Sequence, residues 1–195
     1  MKHIILFVLL LNGCANFSVG NIPSVSIDTN AISLKKEDKK NLTFSFSFYR
    51  ETSDFSSSLG QEKMIKTVKE IFGQSGLFNK VHYVPLEKRE DFHIHFDVKT
   101  SATPLGTQND LALLSGTFLT IFPIWINIYA DTTMYVYQEN KEIYSLTAAE
   151  NIKEVIWLPF IVFSPFLNHA TVGAYTRNKI FKYFLNAIIE EKLYE

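Results

Sequence analysis

His93 and His95 are the side chains of this sequence best suited to ligating a metal. They alternate with Phe92, Ile94 and Phe96. On a strand, that spacing puts both imidazoles on one face, roughly 7 Å apart. Neutral imidazole is a ligand for zinc or copper, and His82 could join from a neighbouring strand. However, Asp97 and Lys99 continue the same row, as a solvent-facing polar row would. No third and fourth ligand of a closed site is visible. We therefore expect no metal, with His93 and His95 as the candidates if one binds. His169, between an apolar run and a helix, reads as a local polar or capping group. Nucleophilic catalysis finds no support, because no Gly-x-Ser-x-Gly elbow occurs. Ser33-Leu34-Lys35-Lys36 contains a Ser-x-x-Lys string, but in a segment where nothing would lower the lysine pKa. Glu87, Glu90 and Asp91 sit with Lys88 and Arg89 in a solvated charged loop. Gly-rich phosphate loops are absent. We expect no catalytic residue, no cofactor and no enzyme.

Cys14 is the sole cysteine. It follows Lys2, the apolar run 4–11 and Asn12-Gly13. A positive start, an uncharged stretch and small residues before a cut are the parts of an export signal. The apolar run is too short to span a bilayer as a helix. Leu11-Asn12-Gly13-Cys14 resembles the lipobox of bacterial lipoproteins, with Asn12 departing from the commoner small or hydroxyl residue. The resemblance implies cleavage before Cys14 and acylation of its sulfur and new amine. Each buried methylene adds about 0.8 kcal/mol, so two or three chains anchor stably where one is marginal. Ala15 follows the cysteine where an Asp would favour inner-membrane retention. The resemblance thus implies an outer-membrane anchor with the body facing the periplasm, membrane lipid being the partner of Cys14.

The length after Cys14 suits one domain, able to bury a core without disulfides. A net charge of −1 gives no basic face for nucleic acid. The 17 phenylalanines, many alternating with polar residues, favour sheet surfaces. We divide the chain into a signal peptide (1–13), an anchor and tether (14–40), and a single domain (41–195). The tether is polar, contains Pro23 and ends in the charge cluster 35–40.

The elements that must position these groups follow from periodicity. In 41–50, Phe44, Phe46 and Phe48 point one way and Thr43, Ser45 and Ser47 the other. Residues 59–72 have helical spacing, with Met64, Ile65, Val68, Ile71 and Phe72 on one side, and Gly73 and Gly76 end the helix. Short strands follow at 81–84 and 91–99. In the latter, Phe92, Ile94, Phe96 and Val98 face in, while His93, His95, Asp97 and Lys99 face out. The alternation after Pro123 predicts a long strand, then a hairpin turn at 138–141 and a partner strand over 142–149. Residues 175–193 form an amphipathic helix. We expect an α+β fold, a two-layer α/β sandwich with helices on one face of a mainly antiparallel sheet. The stretch Ser75-Gly76-Leu77-Phe78-Asn79-Lys80-Val81 resembles small envelope lipoproteins of the curli-secretion and penicillin-binding-protein-activator kind. That implies fold and compartment and carries over no functional residue.

Two apolar runs remain, 111–122 and 155–167. They read first as core. The sharper expectation is that Trp157, Phe160, Phe163 and Phe166 seat on a membrane interface or dock a partner. The leading functional expectation is a non-enzymatic, lipid-anchored envelope lipoprotein acting by binding or as an assembly accessory, with another envelope protein as partner. One alternative is a periplasmic metal-binding or hydrolytic domain centred on His93 and His95. A second is an integral membrane protein spanning at 111–128.

Overall fold

A computed structural model describes residues 14–18, 22–25, 27, 39–50, 58–104, 124–156 and 169–194. The strands are β1 (Cys14–Ser18), β2 (Asn41–Arg50), β3 (Lys80–Tyr83), β4 (Phe92–Pro104), β5 (Ile124–Gln138) and β6 (Lys141–Ile156). The helices are α1 (Ser58–Gln74) and α2 (His169–Glu190), with a 3-10 turn at Leu86–Lys88. The fold is α+β, a sheet with two helices that does not close into a barrel. The chain divides into two compact units.

The larger unit comprises Asn21–Thr100, Asp131–Ala149 and Arg177–Glu195. Its strands lie in the order β6-β5-β4-β2-β3. β2 runs parallel to both neighbours. Parallel neighbours cannot be joined by a tight turn, so the chain crosses from β2 to β3 through α1. The helix ends where the alternating apolar pattern requires a new direction. Ser75 Oγ donates to the Phe72 carbonyl at 2.6 Å, and Gly76 takes φ +74°, a left-handed value that favours glycine. β5 and β6 form a hairpin through Glu139 and Asn140, both at positive φ (50° and 66°). This is the backbone of a two-residue hairpin turn.

The alternation in β2 and β4 is realised as two buried faces. Phe44 and Phe46 stand beside Ile94 and Phe96 in the parallel register. They form the core with Val68 and Phe72 of α1, Met134 and Val136 of β5, and Phe181, Phe184 and Ile188 of α2. Phe96 is the hub, its ring centroid 5.2 Å from both Phe46 and Phe181. The opposite face carries Thr43, Ser45, His93 and His95. The sequence expectation placed this row toward solvent, yet all four are buried.

The smaller unit comprises Met1–Gly20, Ser101–Ala130 and Glu150–Thr176. Within it β1 runs antiparallel to the end of β6, Cys14 opposite Ile156 and Ser18 opposite Ile152. Residues 14–18 fall in the stretch that composition assigns to a tether. Ala15 and Phe17 alternate there with Asn16 and Ser18, an alternation too short to announce a strand by itself. Residues 124–128 begin β5, which is incompatible with a transmembrane helix over 111–128. No described helix is long and apolar enough to cross a membrane. The segments 111–122 and 157–167 lie outside the described residues, and so does the expectation for Trp157, Phe160, Phe163 and Phe166.

Candidate functional site

The parallel register of β2 and β4 sets Thr43 beside His93, Ser45 beside His95 and Ser47 beside Asp97. Because side chains alternate along a strand, these six groups share one face. They join into a continuous ladder. Thr43 Oγ1 lies 2.9 Å from His93 Nδ1, and Ser45 Oγ lies 2.8 Å from His93 Nε2. The same serine oxygen is 2.7 Å from His95 Nδ1. His95 Nε2 then reaches Asp97 Oδ1 at 2.9 Å and Ser47 Oγ at 3.1 Å. At the other end Thr43 Oγ1 also lies 3.3 Å from the Phe92 carbonyl and accepts from the Glu90 backbone N–H at 3.3 Å.

The ladder is closed to solvent at its centre and open at the aspartate. Thr43 and His93 are 0% exposed, Ser45 1% and His95 5%, whereas the Asp97 side chain is 21% exposed. Aromatic rings of β5 flank it. Tyr135 stacks on His95 with centroids 6.4 Å apart, and Tyr137 lies 6.3 Å from His93. The Arg89 guanidinium sits 5.0 Å from the Tyr137 ring centroid. Burial, reinforced by the charges of His95 and Arg89, lowers the His93 pKa from 6.5 to about 4. Burial and Glu142 push the Tyr137 phenol upward.

This geometry decides between the chemistries open to His93 and His95. All four ring nitrogens are engaged within the sheet, three by hydroxyls and one by both a hydroxyl and a carboxylate. They do not converge on a common point for an ion. Among the described residues no group of three His, Cys, Asp or Glu side chains could hold a metal. His82 lies in register with Thr43 on β3 but is exposed and outside the ladder. Ser45, His95 and Asp97 reproduce the connectivity of a Ser-His-Asp triad, but with the ring nitrogens exchanged. Ser45 is also shielded from any substrate, and its hydroxyl is shared between two imidazoles. A nucleophile must reach its substrate within about 3 Å. A concavity of about 440 Å³ runs along α1 between Glu62 and Gln74 and contains no ladder residue.

Of the residues singled out in the sequence, His93 and His95 come together, with Asp97. Periodicity gives Thr43, Ser45 and Ser47 only as the outward row of a strand. The available signal was the matching phase of two polar rows, one of hydroxyls and one of imidazoles. His169 is the first residue of α2.

No protein-family model matches the chain, and no curated protein is significantly similar to it in sequence. Among solved structures it is similar to a neuraminyllactose-binding hemagglutinin homologue from Helicobacter pylori, at 10% identity and TM-score 0.47, covering 82% of this chain and 87% of that one. It is similar to a PelC dodecamer from Paraburkholderia phytofirmans at 7% identity and TM-score 0.37, covering 87% and 96%. It is similar also to the rare lipoprotein B from Shewanella oneidensis at 10% identity and TM-score 0.39, covering 76% and 96%.

Proposed function

We propose that this protein is a lipid-anchored lipoprotein of the cell envelope that acts by binding, as an accessory to an envelope assembly, and not by catalysis. The observation that carries the anchor is Leu11-Asn12-Gly13-Cys14 behind an uncharged run. In this reading residues 1–13 are removed, and acylated Cys14 ties a single domain to the outer membrane on its periplasmic side. The pairing of Cys14 with Ile156 fits it. Trp157 and the rest of the aromatic-rich run come immediately after Ile156 in the sequence. Trp157, Phe160, Phe163 and Phe166 then meet the membrane surface or an envelope partner. The non-catalytic part rests on the buried centre of the ladder, where the serine of the serine–histidine–aspartate arrangement has no access for substrate.

Intact-mass measurement of the protein from membranes tests the anchor. The expected species begins at Cys14 and carries two or three acyl chains. A free thiol at position 14, or an uncleaved leader without acyl mass, overturns it. A photo-crosslinker at position 157, 160, 163 or 166 tests the contact. Adducts with lipid or with one discrete envelope protein support it, and no adduct at any of the four positions removes it.

A further inference from the structure

A hydroxyl can accept and donate, a neutral imidazole carries one donor and one acceptor, and a carboxylate only accepts. These rules leave the ladder very few complete hydrogen-bond patterns. With both histidines neutral, His95 must place its proton on Nε2, because a bare nitrogen 2.9 Å from Asp97 Oδ1 would face the carboxylate lone pair to lone pair. His95 Nδ1 then accepts from Ser45, so Ser45 Oγ must accept from His93 Nε2–H. His93 Nδ1 in turn accepts from the Thr43 hydroxyl. Every bond therefore runs toward Asp97.

Adding one proton gives a second complete pattern on the same atoms. His95 becomes imidazolium, donating from Nε2 to Asp97 and from Nδ1 to Ser45 Oγ. Ser45 then donates to His93 Nε2. His93 carries its proton on Nδ1 and donates to Thr43 Oγ1, and Thr43 donates to the Phe92 carbonyl 3.3 Å away. No donor is stranded in either state. The added proton comes from water, and the ladder with its aspartate changes from a net charge of −1 to neutral. A second proton has no such place. On His93 it would leave both imidazolium ions donating to Ser45 Oγ, whose own hydrogen would have no acceptor.

We propose that the Thr43–His93–Ser45–His95–Asp97 ladder is a binding site for a single proton. Uptake on His95 reverses every hydrogen bond from His95 to Thr43 and switches the tautomer of His93. The groups facing it agree with one proton and not two. On β4 itself the Asp97 carboxylate lies 2.9 Å from His95 Nε2 and the exposed Lys99 continues the row, while burial, His95 and Arg89 hold the His93 pKa down. β2 contributes only hydroxyls, β5 contributes Tyr135 and Tyr137, Glu142 of β6 acts on Tyr137, and His82 of β3 stands in register with Thr43. The far end of the relay is Thr43, which accepts from the Glu90 N–H in both states and bonds the Phe92 carbonyl in only one. A proton taken up on His95, beside the partly exposed Asp97, is thus felt at the chain that leads into β4.

The test is the ring-nitrogen NMR spectrum of the full chain, labelled with 15N-histidine and held in detergent micelles, from about pH 8 to about pH 5. The expected result is that His93 stays neutral and changes from the Nε2–H to the Nδ1–H tautomer with the same midpoint at which His95 becomes charged. A His93 that keeps one tautomer while His95 titrates, or that charges before it, overturns the proposal. In Ser45→Ala the two rings lose their bridge, so His95 should titrate without any change at His93. Continued coupling there would also overturn it. The wild-type measurement stands alone should that variant fail to fold.

Discussion

Ser45 on β2 and His95 on β4 are register partners whose side chains meet at 2.7 Å, Oγ to Nδ1. The contact exists because parallel strands keep their side-chain phase. The hydroxyl row Thr43, Ser45, Ser47 and the row His93, His95, Asp97 then stay opposite each other over three successive pairs. A single slip by one residue would set serines against phenylalanines on the wrong face. The ladder therefore also specifies the register of the two central strands.

Removing the shared hydroxyl leaves His93 Nε2 and His95 Nδ1 buried without a partner. An unsatisfied buried polar group costs about 1–3 kcal/mol. Ser45→Ala should lower unfolding stability by that amount or somewhat more in urea denaturation. Ser47→Ala should cost under about 1 kcal/mol, since His95 Nε2 keeps Asp97 and the site is partly open. Equal losses at the two positions would mean that the buried bridge has no special weight.

Stability should depend on pH through His93. Its pKa is about 4 in the fold against 6.5 in the unfolded chain. Above pH 6.5 both states hold a neutral ring, and the full stability is present. As pH falls, the unfolded chain takes up a proton that the buried ring refuses. Roughly 3 kcal/mol is lost by about pH 4, where the loss levels off. Denaturation curves between these limits, compared with those of His93→Gln, isolate the contribution. The variant should start less stable and decline less steeply, and parallel declines would show that His93 does not titrate this way.

Much of this was legible in the pattern of residues. Phe44, Phe46 and Phe48, then Phe92, Ile94, Phe96 and Val98, announced two strands with one apolar face each. Val68 and Phe72 announced the helix that covers them, and the hairpin at 138–141 was visible as a polar break in a long alternation. The burial of His93 and His95 was not legible. Polar residues opposite an apolar face normally read as solvated, and only the neighbouring strand decides otherwise. Which strand lies beside β4 depends on the crossover through α1, a long-range pairing that local periodicity does not encode. The same holds for β1, five residues whose pairing with the end of β6 is equally long-range.

Phe96 should be the most sensitive core position. Its ring is 0% exposed. It meets Phe46 and Phe181 at 5.2 Å, Phe184 at 5.9 Å and Phe72 at 6.4 Å, which joins β2, α1 and α2 through one side chain. Phe96→Ala should cost about 3–5 kcal/mol through lost burial and the cavity left behind. Phe48, 42% exposed at the end of the apolar row of β2, should cost under about 1 kcal/mol when truncated to alanine. Calorimetric melting of the two variants checks the contrast.

The turn at Glu139-Asn140 is a place where the sequence can be improved. Both residues sit at left-handed φ, 50° and 66°. Asparagine adopts that region readily, whereas glutamate gains nothing there to offset the crowding of its Cβ. The Glu139 N–H also donates to the Asp91 carbonyl at 2.8 Å, holding the turn against the start of β4. Replacing the pair by Asn-Gly keeps that N–H and supplies the residues that two-residue hairpin turns favour. It should raise stability by about 0.5–1 kcal/mol. Glu139→Pro forces φ to about −65° and removes the donor, so it should destabilise by more than that gain. Urea midpoints for both variants measure the two signs. A stabilising proline would mean that the turn does not hold this left-handed backbone in solution.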